Sequence, residues 1–139
     1  MFIRSLIAVL LLSGAATPVF AQAAPTKKST ITASTPAPDD RARQWLVLVD
    51  DKNYAQSWSE SAKAFQARQK ADAWAKGATA TRAPLGAVAS RGLKSIDLSR
   101  GNMAVIRYDT VFAHKAAAVE TVTLGFENGH WSVTDYAVN

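Results

Sequence analysis

The chain of 139 residues contains no cysteine. This absence excludes disulfide bonds, thiolate metal sites, cysteine nucleophiles and a lipid anchor attached to a leader cysteine. Stability must therefore come from a hydrophobic core, which a single domain of about 100 residues can build. Glycine is also sparse: the seven glycines form neither a glycine-rich phosphate loop nor a Gly-x-Ser-x-Gly elbow. We therefore expect neither phosphate-loop chemistry nor serine hydrolase chemistry.

The only long apolar run lies near the start of the chain, over residues 5–16, and it is too short to span a bilayer as a stable helix. One cation, Arg4, precedes this run, and small residues follow it around Ala21 and Ala23. This order is typical of a Sec-type signal peptide. We predict that residues 1–21 are a signal peptide cleaved near Ala21 or Ala23. The mature protein is then periplasmic or secreted and has no transmembrane segment.

Positive charge is in modest excess. The formal net charge of +5 falls to +4 without the leader, because Arg4 is the only charged side chain there. The rest is spread along the chain, so we expect no nucleic-acid partner.

Residues 22–38 are rich in Ala, Thr, Ser, Pro and Lys, with Ile31 as their only large apolar residue. Such a segment cannot bury enough surface to offset its ordering entropy, which predicts a disordered linker.

A helical region follows. Asp39 and Asp40 predict a helix N-cap and the start of a single domain over residues 39–139. Apolar and small side chains then recur at helical spacing in three stripes, which predicts three helical segments. The stripes are Ala42, Trp45, Leu46 and Val49; Tyr54, Trp58, Ser61, Ala62 and Phe65; and Ala71, Trp74, Ala75 and Ala78. Pro84 and Gly86 end this region.

The second half changes to a period of two, which predicts strands. The alternating residues are Ile106, Tyr108 and Phe112, then Val122, Leu124 and Phe126, then Trp131 and Val133. Gly101 lies in a turn, and Asn128-Gly129 is a strong hairpin signal. Helices followed by consecutive antiparallel strands give an α+β domain. We predict N-terminal helices packed on one face of a curled antiparallel sheet of about four strands.

Turn lengths predict a register for these strands. Two-residue turns at Asn128-Gly129 and Arg100-Gly101, with a three-residue loop near Lys115, fix the pairing. The predicted pairs are Phe126 with Trp131, Leu124 with Val133, Val122 with Asp135, Phe112 with Glu120, Thr110 with Val122, and Arg91 with Thr110. One end of the inward face then carries a polar cluster. Its members are Arg91, Thr110, Glu120 and Asp135, joined by Arg82.

This cluster is the candidate ligand-binding site. A guanidinium among carboxylates can clamp a polar ligand, or it can hold a carboxylate at a shifted pKa for acid–base work. The alternative is an ion pair that closes the wide end of the core. His114 and His130 each lie beside a predicted turn and do not converge, so we expect no metal site, and no cofactor is indicated.

A second candidate is the outer face of the sheet. The same register places five apolar side chains away from the helices: Ile96, Leu98, Met103, Val105 and Val111. An exposed apolar patch of this size is typical of a partner surface, here for a second copy of the chain or a cell-envelope protein. The alternative is a slipped register in the first strand, which would divide the patch.

Several short segments together resemble a known family. They are Trp45–Asp50 (WLVLVD), Tyr54–Trp58, Arg82-x-Pro84-Leu85-Gly86 with Ser90-Arg91, Glu120–Leu124 (ETVTL), and Gly129-x-Trp131-x-Val133 followed by Tyr136. From about Arg41 to Val138 the chain resembles domain-of-unknown-function family 4019, small exported bacterial proteins. The resemblance implies a periplasmic or secreted protein with a cone-like fold of the cystatin or nuclear-transport-factor-2 (NTF2) kind. It brings no activity, cofactor or catalytic residue.

These observations favour a non-catalytic binding or interaction module. The alternative is a small-ligand-binding or enzymatic pocket between helices and sheet, around Arg91, Glu120 and Asp135. A filled interior with a continuous outer apolar patch would indicate the first function. An open cavity containing at least two of the charged residues named above would indicate the second.

Overall fold

The structure, a computed structural model, describes residues 35–139. The predicted signal peptide and most of the predicted linker lie outside this range. The helices are α1 (Pro38–Asp50), α2 (Tyr54–Ser59), α3 (Lys63–Arg68) and α4 (Ala71–Arg82). The strands are β1 (Val88–Asp97), β2 (Met103–Phe112), β3 (Lys115–Glu127) and β4 (His130–Val138). Within residues 35–139, no helix combines the length and apolarity that crossing a bilayer requires.

Helix α1 buries the stripe that its spacing predicts, since Ala42, Trp45, Leu46 and Val49 are all buried. Its start differs from the prediction. Ala37 is the N-cap and Pro38 is the first helical residue, a position where the missing proline N–H costs nothing. Asp39 and Asp40 therefore lie in the first turn, where their charge favours the helix dipole without capping it.

The second predicted stripe is divided between two short helices. The chain leaves helical geometry after Glu60, and the Ala62 N–H donates to the carbonyl of Val133 at 2.8 Å. The side-chain amide of Gln66 donates to three carbonyls at the break, those of Trp58, Ser59 and Ser61. These bonds satisfy the polar groups that the interruption frees, so the break joins the helical layer to β4.

The four strands form one antiparallel sheet in the order β1-β2-β3-β4. The helices pack on one face of it, as predicted for this α+β fold. The buried side chains of that inner face include Ala104, Ile106, Tyr108, Thr110 and Phe112 of β2, and Ala118, Glu120, Val122 and Leu124 of β3. Trp45 of α1 is fully buried and contacts the rings of Phe65, Trp74 and Tyr136.

The serines of the helical layer contribute to this core. The Trp45 indole N–H is 2.8 Å from the carbonyl of Ser57 and 3.0 Å from the hydroxyl of Ser61. The Trp74 indole N–H donates to the Ser57 hydroxyl at 2.9 Å. Because buried indole N–H groups need acceptors, these two serines stabilise the packing of the tryptophans.

The β3–β4 hairpin begins as predicted. Asn128 (φ 53°) and Gly129 (φ 79°) form the turn, and Phe126 pairs with Trp131 and Leu124 with Val133. An irregularity between Val133 and Asp135 then shifts the register, so Val122 pairs with Tyr136 and not with Asp135. The predicted Val122–Asp135 pair is therefore wrong. An extra residue in one strand moves every later side chain to the opposite face.

The other two registers also differ from prediction. The β2–β3 turn is Ala113-His114, and an irregularity follows between Thr110 and Phe112. Thr110 therefore pairs with Ala118 and Tyr108 with Glu120. The predicted Thr110–Val122 and Phe112–Glu120 pairs are wrong. The β1–β2 connection is a longer loop over residues 98–102 and not a two-residue turn at Arg100-Gly101. Arg91 nevertheless pairs with Thr110 as predicted, because an irregularity between Leu93 and Ser95 compensates for the longer loop.

Candidate functional site

Two arginines and two carboxylates form a closed cluster at one end of the inner face. The ionic cluster consists of Asp50 at the end of α1, Arg82 at the end of α4, Arg91 on β1 and Glu120 on β3. Arg82 contacts Asp50 at 2.5 Å and Glu120 at 3.0 Å. Arg91 contacts Asp50 at 2.7 Å and Glu120 at 2.6 Å. Each arginine therefore bridges both carboxylates, and the four charges balance.

Glu120 lies at the centre of this arrangement and has no exposed surface. Besides the two arginines, it accepts hydrogen bonds from the Thr110 hydroxyl at 2.7 Å and from the Tyr136 hydroxyl at 2.6 Å. All of its acceptor positions therefore face donors. A carboxylate can be buried in such surroundings, because the opposite charges and the hydrogen bonds both compensate for its lost hydration.

The cluster shifts the ionisation of its members. Burial opposes the charged form of Asp50, but hydrogen bonds from Arg91 and Arg82 outweigh burial and hold the pKa of this carboxyl below its usual range. Burial likewise opposes the charged form of Arg91, yet Asp50 and Glu120 raise its pKa above the ordinary value. Burial, and then the neighbouring charge of Glu120, raise the pKa of the Tyr136 phenol. Each of these three shifts moves the pKa further from pH 7.

Four of the five residues predicted for the ligand site come together: Arg82, Arg91, Thr110 and Glu120. Asp135 does not join them. The irregularity in β4 turns it outward, its side chain is 63% exposed, and its nearest cation is Arg68 at 3.6 Å. Tyr136 takes the inward position that was predicted for Asp135.

Asp50 is a cluster member that the sequence reasoning missed. Leu46, Val49 and Asp50 stand at i, i+3 and i+4, so the buried stripe of α1 continues by one residue onto this carboxylate. That spacing was the available signal. The predicted stripe ended at Val49 and therefore left Asp50 out.

A cavity of about 560 Å³ opens beside the ionic cluster, where α1, α2 and α4 meet the start of β1. We call it the α1–α4 cavity. Its lining residues are Val49, Asp50, Lys52, Tyr54, Thr79, Arg82, Ala83, Gly86, Ala87 and Val88. Two cations and one carboxylate therefore share the lining with aliphatic side chains. Arg91, Glu120 and Asp135 do not line this cavity, so it is not the pocket that was predicted around these three residues.

Gly86 and His114 lie close together at this cavity. Gly86 has φ +77°, a left-handed conformation that glycine adopts readily. A Cβ at this position would lie 3.0 Å from both the Ala113 Cβ and the His114 Nδ1. The His114 N–H also donates to the carbonyl of Leu85 at 2.9 Å. The absence of a side chain at Gly86 thus lets the β2–β3 turn pack against the chain that enters β1.

The two histidines of the chain do not lie together in the fold. No group of three or more His, Asp or Glu residues there could hold a metal ion. His114 lies in the β2–β3 turn, and His130 is the first residue of β4. Both side chains are exposed, and they lie at opposite ends of β3.

The five apolar residues predicted for an interface do not share one face. Met103, Val105 and Val111 point outward, because they alternate with the buried residues of β2. Ile96 pairs with Ile106, which is fully buried, so it lies on the inner side of the edge strand. Leu98 lies beyond the end of β1. The irregularity between Leu93 and Ser95 places Ile96 on the face opposite to the predicted one, and this divides the predicted patch.

This chain is similar to a solved structure and to a family model. A protein from Campylobacter jejuni, described as an NTF2-like transpeptidase and solved at 2.00 Å, has a similar fold: the TM-score is 0.50 with 18% sequence identity, over 70% of this chain and 97% of that one. Identity this low shows the fold alone, which is the predicted helix-on-sheet cone. No curated protein matches the chain. The family model for DUF4019, described as a protein of unknown function, matches residues 41–136, as the sequence resemblance predicted. The chain therefore belongs to the DUF4019 family.

Proposed function

We propose that this protein is an exported, non-catalytic domain that binds a small ligand in the α1–α4 cavity. The observation that carries the proposal is the cavity itself. Its volume of about 560 Å³ lies within the range of small-molecule sites, and its lining combines aliphatic side chains with a few polar groups. A ligand can bury an apolar body there and be oriented by the charged groups.

The chemistry of the neighbouring ionic cluster supports binding without catalysis. General acid–base catalysis needs a group that exchanges a proton near the working pH. The pKa of Asp50 is lowered, and the pKa values of Arg91 and Tyr136 are raised, so these groups keep their protonation states around neutrality. Mutual pairing of both arginines with both carboxylates also favours a structural role for the cluster.

Export is the part of the proposal that rests on composition. Residues 1–21 have the order of a signal peptide, with one cation, an apolar run and then small residues. The mature chain would begin near Gln22. The absence of cysteine is compatible with an oxidising compartment, since no thiol would be exposed there to oxidation.

Binding to a partner through the outer sheet face ranks second. The predicted patch of five residues was its main support, and the register of β1 divides that patch. Of its three outward residues on β2, Val111 is the most exposed, at 37%, and Met103 and Val105 are partly buried. An outer face of this kind lacks the contiguous apolar area that indicates a partner surface.

A pair of variants at the C-terminal end of α4 tests the cavity. Ala83 follows the last residue of α4 and lines the cavity, so Ala83→Phe should fill part of it, whereas Ala80 is exposed within α4 and lies outside the lining. The chain from Gln22 is screened by thermal shift against small molecules that are anionic, neutral or cationic. We expect compounds that raise the Tm of the wild type and of Ala80→Phe but not of Ala83→Phe. Compounds that stabilise Ala83→Phe as strongly as the wild type would place binding elsewhere and refute the proposal.

A further inference from the structure

We propose that the ligand of the α1–α4 cavity is an amphipathic carboxylate, with its apolar body inside the cavity and its anionic end at Lys52. This inference rests on the proposed function and adds the chemical class of the ligand. It depends on four features of the lining, which are its aliphatic wall, its unpaired lysine, the backbone conformation of that lysine and a buried nitrogen of Arg82 that has no acceptor.

The wall provides apolar contact on several sides. Val49 comes from α1, Ala83 from the end of α4, and Val88 from the start of β1. Tyr54 adds an aromatic ring that is largely buried. An aliphatic chain in contact with these side chains would leave water, which is the main driving force for binding apolar groups. A purely polar ligand would leave this wall without a partner.

The charges of the lining favour an anion at the open end. Asp50 is already held by both Arg82 and Arg91. Lys52 is different: its ammonium group has no ion pair or hydrogen bond with any side chain or carbonyl among residues 35–139, and the residue is exposed. An anionic group at the rim would therefore meet an unpaired cation, whereas a cationic group would meet like charge.

The backbone at Lys52 is an independent observation. Its φ is 60°, in the left-handed region. The Lys52 N–H donates to the carbonyl of Val49 at 3.1 Å, and the Asn53 N–H donates to Leu48 at 2.7 Å. These two bonds form a Schellman motif, in which glycine is the favoured residue at the position of Lys52. A lysine there has a conformational cost that the fold does not require, and such residues are often found where a side chain has a function.

Arg82 adds a second donor without an acceptor. Its side chain lines the cavity and is only 7% exposed. Its Nε is the single buried side-chain nitrogen or oxygen of residues 35–139 that has no hydrogen-bond partner. A buried donor left in this state is costly unless water or a ligand supplies an acceptor. The oxygens of a carboxylate are acceptors only, so a ligand of this class adds no further donor beside Arg82.

Three probes with the same alkyl chain test the class of ligand: decanoate, 1-decanol and decyltrimethylammonium. Their affinities for the chain from Gln22 are measured by calorimetry at low ionic strength. We expect decanoate to bind about tenfold more tightly than decanol, as one charge-assisted contact implies, and decyltrimethylammonium to bind most weakly. The advantage of decanoate should shrink as salt is added. Equal affinities for decanoate and decanol, both lost in Ala83→Phe, would overturn the anionic class while the cavity proposal stands. Binding of all three probes that persists in Ala83→Phe would overturn both.

Substitutions of Lys52 test its role separately from folding. Lys52→Gln keeps a side chain of similar length without the charge and should lose about tenfold in affinity for decanoate but not for decanol. Lys52→Gly should raise the Tm, because glycine adopts φ 60° more readily, and should still lose decanoate binding. Asn128→Gly is the control, because Asn128 is the other non-glycine residue with positive φ among residues 35–139, and this variant should bind decanoate normally. Full decanoate affinity in Lys52→Gln would overturn the assignment of Lys52.

Discussion

Replacement of Glu120 by glutamine tests whether the ionic cluster holds the fold together. The change keeps the shape of the side chain and removes its charge. Oε1 accepts from Arg82 at 3.0 Å and from Tyr136 at 2.6 Å, and Oε2 accepts from Arg91 at 2.6 Å and from Thr110 at 2.7 Å. An amide provides one oxygen and one NH₂ group, so two of these four donors would face another donor.

The geometry around Glu120 indicates how much stability the substitution should cost. The hydroxyls of Thr110 and Tyr136 can rotate and accept a hydrogen bond, but a guanidinium cannot. Whichever way the amide turns, its NH₂ group therefore faces one arginine N–H in a fully buried site. Removing one partner of a buried ion pair costs about 3–5 kcal/mol. Since each kcal/mol corresponds to roughly 4–8 °C in a domain of this size, we expect the Tm to fall by roughly 12–40 °C.

Urea unfolding followed by tryptophan fluorescence measures the free energy of unfolding of the Glu120→Gln variant and the wild type. Glu60→Gln is the matched control. Glu60 pairs with Arg41 at 3.2 Å, its side chain is 33% exposed, and loss of its charge should cost less than about 1 kcal/mol. If Glu120→Gln lost no more stability than this control, the cluster would not support the fold as its geometry indicates.

Two further predictions concern the same end of the molecule. The pKa of the Tyr136 phenol is raised in the folded state, so the contribution of this group to the free energy of unfolding is complete below about pH 10, the pKa of an unfolded tyrosine, and is lost as the pH rises above that value. Urea unfolding at stepped pH should therefore show that Tyr136→Phe loses less stability at alkaline pH than the wild type. An equal loss of stability in both proteins would contradict the raised pKa. Gly86→Ala should cost about 1–3 kcal/mol, since alanine is strained at φ +77° and its Cβ would lie 3.0 Å from Ala113 and His114. Gly77→Ala, in helix α4 with nothing within 4 Å of the added Cβ, should be neutral or stabilise by up to about 1 kcal/mol, and equal losses in both variants would refute the packing argument.

The architecture was predictable from periodicity because one face of each element is buried. The stripe of α1, the alternation of β2 and the Asn128-Gly129 turn all predict local structure from adjacent residues. Bulges are different, because they arise where packing between strands and helices favours an extra residue. Nothing in the residues next to Leu93 or Thr134 distinguishes a bulge from a regular strand. The predicted positions of Ile96 and Asp135 failed for this reason.

The ionic cluster was nevertheless largely predictable, and parity explains why. The β2–β3 pairing differs by four residues from the prediction, since Thr110 pairs with Ala118 in place of Val122. An even shift leaves every side chain on its predicted face, so Thr110 and Glu120 both remain inward. The β4 irregularity is an odd shift, and it exchanges Asp135 for Tyr136. Sequence reasoning therefore recovers the composition of a face more reliably than the contacts on it.

At this end of the domain, pairing distinguishes the structural charges from the one that we propose to bind ligand. The two arginines and two carboxylates of the ionic cluster satisfy one another, so the free energy of their burial is already compensated within the fold. Lys52 lines the neighbouring cavity, is unpaired among the described residues and has a backbone conformation better suited to glycine. Stability alone would not favour a lysine there. Loss of Glu120 should therefore reduce stability, whereas loss of Lys52 should reduce binding and leave the fold as stable or more so.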